Sequence, residues 1–167
     1  QDVPSPYLRR QVPKTILWMA RFTAIKRPVD AIRIFERIRL KHPDARLIML
    51  GKPEGSEAKR VKGILDQDAQ LRQSVSLEGF KTDVWAYLSE ASVFLTTSKF
   101  EGFSYTLAEA SAAGVPTVGY ELPYLELAKG NEGFIQTPQQ DVAAAAEAVC
   151  RLLEDEAAYE KEARAAR

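Results

Sequence analysis

The chain carries one cysteine and one histidine among its 167 residues. A lone cysteine excludes a disulfide framework and a multi-cysteine zinc centre, and it fits a reducing compartment such as the cytoplasm. Cys150 is expected to pack as a small apolar side chain. A lone histidine, His42, excludes a multi-histidine metal cluster. Neither sign of charge is in excess, with 23 Lys and Arg against 23 Asp and Glu. That balance speaks against a general nucleic-acid binder and against a polybasic membrane-surface protein. No apolar run approaches the ~18 residues of a membrane span, and no charged-then-apolar leader opens the sequence. Two glycine-rich phosphate motifs are also missing. Without G-x-G-x-x-G after the first strand, NAD or FAD binding is not expected. Without G-x-x-x-x-G-K-[ST], the chain is not a P-loop ATPase. The first residue is Gln1 rather than Met, so the sequence is expected to be a piece of a longer one.

What remains is the length of one ordinary domain, long enough to bury a core without staples. Short, nearly continuous apolar runs bounded by turn residues occur at Thr15–Ala20, Arg46–Gly51, Val75–Gly79 and Val93–Thr97. Two more lie near Pro116–Tyr120 and Gly133–Gln136. Runs of this kind mark strands covered on both faces, as in a parallel sheet. Helix-length stretches separate them: Val29–Lys41, Ser56–Gln70, Asp83–Glu90, Tyr105–Ala113 and Asp141–Glu154. In the first, Ile32, Ile34, Phe35 and Ile38 fall on one side. Pro28 fits a first helical turn, and Gly114 fits a helix end. The charged segment Asp155–Arg167 reads as a last helix that stops without a cap, again as a cut chain would. The expected architecture is α/β, a doubly wound, Rossmann-like parallel sheet of about six strands flanked by helices. Trp18 is expected in the core and Trp85 on a packed helix face. His42, in the turn Lys41-His42-Pro43-Asp44, is expected at the surface and at the edge away from any site.

In open α/β sheets, ligands bind beyond the carboxyl ends of the strands. Five loops fall there: Arg21–Lys26, Gly51–Gly55, Gly79–Thr82, Ser98–Ser104 and Tyr120–Tyr124. In the first, Arg21 and Lys26 offer a guanidinium fork and a mobile point charge, a pair able to neutralise a diphosphate. Solvated surface cations are the commoner explanation for such a pair. The fourth loop, Ser98 to Ser104, carries Glu101 and Gly102 into the start of a helix. The free N–H groups and dipole of that helix favour an anion. Glu109 lies eight residues after Glu101. It suits a ligand contact, and Thr106-x-x-Glu109 equally matches a capping box.

At these loops the sequence resembles the C-terminal half of GT-B glycosyltransferases, specifically the retaining family 4. Three features match in order. The strand Ile16–Ala20 runs into Arg21-x4-Lys26. The strand ending at Gly51 is followed by Lys52-Pro53. The stretch from Glu101 to Glu109 looks like the family's E-x7-E signature, followed by Gly114-Val115-Pro116. The resemblance implies a single donor-binding domain over residues 1–167, with the family's N-terminal acceptor domain absent from the chain. It implies that Arg21 and Lys26 hold the diphosphate of a nucleotide-sugar such as a UDP- or GDP-sugar. Glu101 would contact the transferred sugar and take part in catalysis with those two cations. Backbone N–H groups of Gly102, Phe103 and Ser104 would line the sugar and phosphate site. Glu109 would bind the ribose, and the loop with Phe80 and Lys81 would meet the base. No metal or other cofactor is expected. The acceptor implied is a glycan, glycolipid or cell-surface polymer, reached through the absent half. The location implied is the cytoplasm, peripheral at the inner membrane face for a full-length member. Ala20, where many members have glycine, and Lys52-Pro53, in place of a glycine-rich turn, depart from the pattern.

Two other readings compete with this one. One is another GT-B enzyme, such as a nucleotide-sugar epimerase or a phosphorylase, and a phosphorylase would need a pyridoxal-binding lysine that has no evident place. A non-catalytic α/β interaction module of receiver type needs an acidic cluster after the first strand. Arg21 stands there instead.

Overall fold

In the computed structural model, which describes residues 14–166, the apolar runs become six strands of one sheet. They are β1 (Thr15–Met19), β2 (Arg46–Leu50), β3 (Val75–Gly79), β4 (Val93–Thr96), β5 (Thr117–Tyr120) and β6 (Phe134–Thr137). Their order across the sheet is β3-β2-β1-β4-β5-β6, and each neighbouring pair is parallel. Parallel pairing needs crossovers. These are supplied by α1 (Pro28–Lys41), α2 (Gly55–Gln67), α3 (Ala69–Ser74), α4 (Trp85–Glu90), α5 (Tyr105–Ala112) and a 3₁₀ turn at Glu126–Ala128, with α6 (Val142–Glu154) and α7 (Glu156–Ala165) completing the chain.

The two faces of the sheet bury different clusters. Along β1, all five residues are buried. Successive side chains of a strand point to opposite faces. Ile16 and Trp18 accordingly join Ile32 and Phe35 of α1 and Val149 of α6, while Leu17 and Met19 join Leu88 of α4 and Ala110 of α5. Full burial of one such side chain is worth about 2 kcal/mol. The four apolar residues Ile32, Ile34, Phe35 and Ile38, all buried, therefore bind α1 to the sheet more strongly than its own propensity could. Helices on both faces make the sheet doubly wound, as the sequence pattern implies.

Helix ends follow local chemistry. Pro28 is the first residue of α1, preceded by Arg27 in the left-handed region at φ 49° and ψ 58°. At the end of α5, Gly114 takes φ 65°. The Val115 N–H then reaches the Ala110 carbonyl and the Gly114 N–H reaches that of Ser111, the paired bonds of a Schellman stop.

Three expectations need correction. The single helix expected over Ser56–Gln70 is two, because Asp68 accepts from the Leu71 N–H at 2.9 Å and restarts the chain as a new N-cap. Trp85 is not packed away but 45% exposed. His42 is not at the surface but 6% exposed, because the turn that carries it tucks beneath the end of α6. Its Nδ1 lies 2.8 Å from Lys14 Nζ and its Nε2 lies 3.0 Å from Glu154. Ligand-type atoms of His42, Cys150 and Glu154 come within 4.8 Å of one another. With both ring nitrogens already taken by Lys14 and Glu154, this group is a hydrogen-bonded packing chain. Cys150 is buried beside it, and burial pushes its thiol pKa up.

Candidate functional site

β1 and β4 are adjacent, but α1 leaves over one face of the sheet and α5 over the other. The loops after the two strands must part at this switch point, and a crevice opens between them. A cleft of about 990 Å³ occupies it. Arg21 and Lys26 line it from the loop after β1. Glu101, Phe103, Ser104 and Glu109 line it from the β4–α5 segment. Phe80 and Lys81 line it from the loop after β3. Of the residues singled out in the sequence, Gly102 alone falls outside the lining. It is exposed, and a Cβ built there would meet open space.

Lys26 and Glu101 do not stand apart in the cleft: the ammonium donates to Glu101 Oε1. The same oxygen accepts from the Ser98 hydroxyl at 2.7 Å. Arg21, by contrast, is exposed, and its guanidinium has no hydrogen bond or ion pair among the described residues. The loop after β1 therefore brings to the cleft one cation already paired with a carboxylate and, in Arg21, one without such a partner among the described residues, an arrangement suited to a ligand with concentrated negative charge.

The entry to α5 answers the question about Glu109. Its N-cap is Ser104, whose hydroxyl accepts from the Leu107 N–H at 3.2 Å. Position N3 of this helix is Leu107, so Glu109 lies two residues beyond the place that would close a capping box. Its carboxylate is half-buried in the cleft lining, and burial alone raises its pKa above the ordinary carboxylate value. A carboxylate held there at a desolvation cost, with no ion pair among the described residues, is available to accept hydrogen bonds from a neutral ligand. The Ser104 cap satisfies one amide of the first turn. Tyr105 and Thr106, which also line the cleft, keep theirs without intrahelical partners.

The mouth of the cleft is aromatic. Phe103 and Tyr105 meet edge to face at 5.0 Å, and both are largely exposed, as is Phe80. Lys52, Glu54 and Thr82 belong to the lining as well, and the sequence reading missed them as ligand residues. Their only signal is position, directly after β2 and β3. The departure at Ala20 has a structural counterpart. Gly51 sits at φ 135°, and a Cβ there would fall 2.0 Å from the Ala20 carbonyl oxygen. The loops after β1 and β2 are thus in backbone contact, and glycine is required on the β2 side of it.

Comparison with known proteins decides the family. The model for glycosyl transferases group 1 matches residues 4–167. The chain belongs to this family. Its sheet is the one found in GT-B glycosyltransferases. The group 1 domain is 35% identical over 150 residues to an exopolysaccharide phosphotransferase of Streptomyces coelicolor, covering 86% of this chain and 15% of that protein. It is 33% identical to the glycogen synthase of Mycobacterium tuberculosis, over 95% of this chain and 38% of that one. A poly(glycerol-phosphate) alpha-glucosyltransferase of Bacillus subtilis is 25% identical over 86% of this chain and 21% of its own length. The chain thus spans well under half the length of these relatives. Among solved structures, S. aureus TarM in complex with fondaparinux, alpha-GlcNAc-glycerol and UDP superposes with a TM-score of 0.81 at 19% identity, over 93% of this chain and 31% of that one. The pneumococcal O-GlcNAc transferase GtfA in complex with UDP and GlcNAc gives a TM-score of 0.74 at 22% identity, over 91% of this chain and 32% of that one. At these identities the likeness is one of fold. No helix among the described residues is long and apolar enough to cross a membrane.

Proposed function

We propose that this group 1 domain binds the nucleotide-sugar donor of a retaining glycosyltransferase that transfers a hexosyl unit to a glycan, glycolipid or cell-surface polymer. The observation that carries the reading is the meeting of Arg21, Lys26, Glu101 and Glu109 in one cleft at the sheet's switch point. Two cations and the start of α5 would receive the diphosphate. As the bond to the sugar breaks, negative charge grows on the departing nucleoside diphosphate. Cations already in place stabilise that charge without reorganisation, so a metal is not needed for this purpose. Glu101, released from Lys26, would accept from sugar hydroxyls. Glu109 would accept from the ribose, which its lack of a cation partner suits. The loop with Phe80 and Lys81 would take the base, and backbone amides of Phe103 and Ser104 the sugar and phosphate oxygens, Gly102 lying outside the cleft lining. Glu101 is not assigned as a nucleophile; a front-face transfer, with the acceptor entering on the leaving-group side, fits a site whose nearest carboxylate is bound to a lysine. The acceptor would be held by chain beyond this domain, in a protein working in the cytoplasm or at the inner membrane face.

Calorimetric titration of the domain with UDP, GDP and ADP tests the reading. Millimolar or tighter binding of one of them is expected. Arg21→Ala should weaken it about tenfold, the scale of one charge-assisted contact, without altering thermal stability. A folded domain that binds none of the three would end the proposal.

A further inference from the structure

Thr97 is the first residue beyond β4, and it is 1% exposed. Its hydroxyl ties together three parts of the switch point. It accepts from the buried Trp18 indole Nε1 at 3.0 Å. It lies 2.6 Å from the Lys26 carbonyl oxygen and 3.0 Å from that of Arg27. A hydroxyl has one proton, and the shorter contact places it on Lys26. The indole N–H donating to the same oxygen strengthens that bond.

The peptide so held is the strained point of the loop. Arg27, a non-glycine residue, sits in the left-handed region at φ 49°. Such a conformation persists only where the surroundings over-determine it. Several contacts do so. The N–H groups of Lys26 and Arg27 both reach the Thr23 carbonyl, at 3.0 and 3.2 Å, and the Lys99 N–H reaches that of Ile25 at 2.8 Å. The Arg27 guanidinium donates to Gln139 and lies over the Tyr120 ring. Among the described residues, Thr97 is the side chain that binds the Lys26 carbonyl itself. The sheet does not ask for this hydroxyl, because the last ladder pair of β4 is Thr96 with Gly119. What the hydroxyl holds is the carbonyl of the residue whose side chain enters the cleft lining.

We propose that Thr97 is a positioning residue for the phosphate-binding cation, acting on Lys26 through the Lys26–Arg27 backbone. The inference rests on the donor-site reading above. It extends that reading to a residue that touches no ligand.

The test is calorimetric titration of the domain with its preferred nucleoside diphosphate and, separately, with the matching nucleoside. Thr97→Ser keeps the hydroxyl and should bind both as the parent does. Thr97→Val keeps the shape but removes the hydroxyl. It should weaken the diphosphate about tenfold, leave the nucleoside unchanged, and add nothing on a Lys26→Ala background. Diphosphate binding to Thr97→Val within twofold of the parent would overturn the proposal. So would a loss that is equal for nucleoside and diphosphate, or one that persists in full on Lys26→Ala. Those results would mean general loosening rather than placement of the lysine. Should Thr97→Val fail to fold, Thr97→Ala, which leaves room for water at the two carbonyls, is judged by the same criteria. A folded parent that binds no diphosphate removes the donor-site reading, and this inference with it. A parent that binds and is weakened by Lys26→Ala keeps that reading, and the Thr97 variants then decide this inference alone.

Discussion

The ion pair between Lys26 and Glu101 can be cut from either side, and its burial sets what each cut should do. The two side chains are 17% and 11% exposed, between a surface pair and a fully buried one. Surface pairs contribute less than about 1 kcal/mol. Removing one partner of a buried pair costs about 3–5 kcal/mol, because the other charge is stranded. Here Glu101 keeps the Ser98 hydroxyl as a second donor, and some water reaches both groups. A coupling of about 2 kcal/mol is expected from a double-mutant cycle of Lys26→Met and Glu101→Gln, read by thermal unfolding. In a domain of this size that is about 4–8 °C of Tm. The same cycle predicts a binding result of opposite sense. A diphosphate that takes Lys26 must first displace Glu101. Glu101→Gln removes that competitor, so a nucleoside diphosphate without sugar should bind the variant more tightly. The ceiling is about 30-fold, which is the coupling expressed as a ratio of affinities. A nucleotide-sugar should gain less, since its sugar loses the carboxylate. Single effects that simply add, within about 0.5 kcal/mol, would refute the premise that the pair is a desolvated unit. Weaker binding of the free diphosphate to Glu101→Gln would refute the assigned roles, because Glu101 would then be holding the nucleotide.

Two further outcomes follow from single residues. Burial raises the pKa of Glu109 in the folded domain, so the folded state keeps that proton longer than the unfolded chain does. As pH rises from the ordinary carboxylate value through the raised one, this group subtracts from stability. Glu109→Gln should therefore raise Tm at neutral pH and lose that advantage at pH 4, while weakening the nucleoside diphosphate about tenfold. A parent that gains on the variant as pH rises would mean that the carboxylate has found a cation. Gly51→Ala places a methyl 2.0 Å from the Ala20 carbonyl at φ 135°, and should cost about 3 kcal/mol or more in urea unfolding; an unchanged midpoint would show that the two loops can separate freely.

Much of the fold was legible because strands covered on both faces leave short apolar runs, as in Leu-Ile-Met-Leu at the end of β2 and Val-Phe-Leu at the start of β4. The break at Asp68 was missed because a capping side chain looks like any other polar residue until its N–H partner is known. The same ambiguity made Thr106 look like a cap when Ser104 has that place. His42 misled for a tertiary reason: the bonds that hold it inside come from Lys14 and Glu154, far away in sequence. In the cleft, strand ends and residue types indicated Arg21, Lys26, Glu101 and Glu109. Nothing in the order of residues indicates that two of these bind each other, or that Thr97 and Trp18 stand behind them, since those contacts exist only after β1 and β4 pair.

Lys26 and Glu101 are 75 positions apart, and the ladder that joins their strands has two registered pairs, Ile16 with Val93 and Leu17 with Phe94. Contacts of such separation form late, after loop closure has been overcome. Neither half of the chain owns the cleft, so a severed half should recognise no donor even where its own helices persist. A nucleotide that binds the finished domain will stabilise it by mass action and slow its unfolding, without hastening the earlier steps of its assembly. Affinity for a nucleotide would in this sense be a measure of completed topology, and loss of binding after limited proteolysis should track the parting of β1 from β4 rather than damage to either loop.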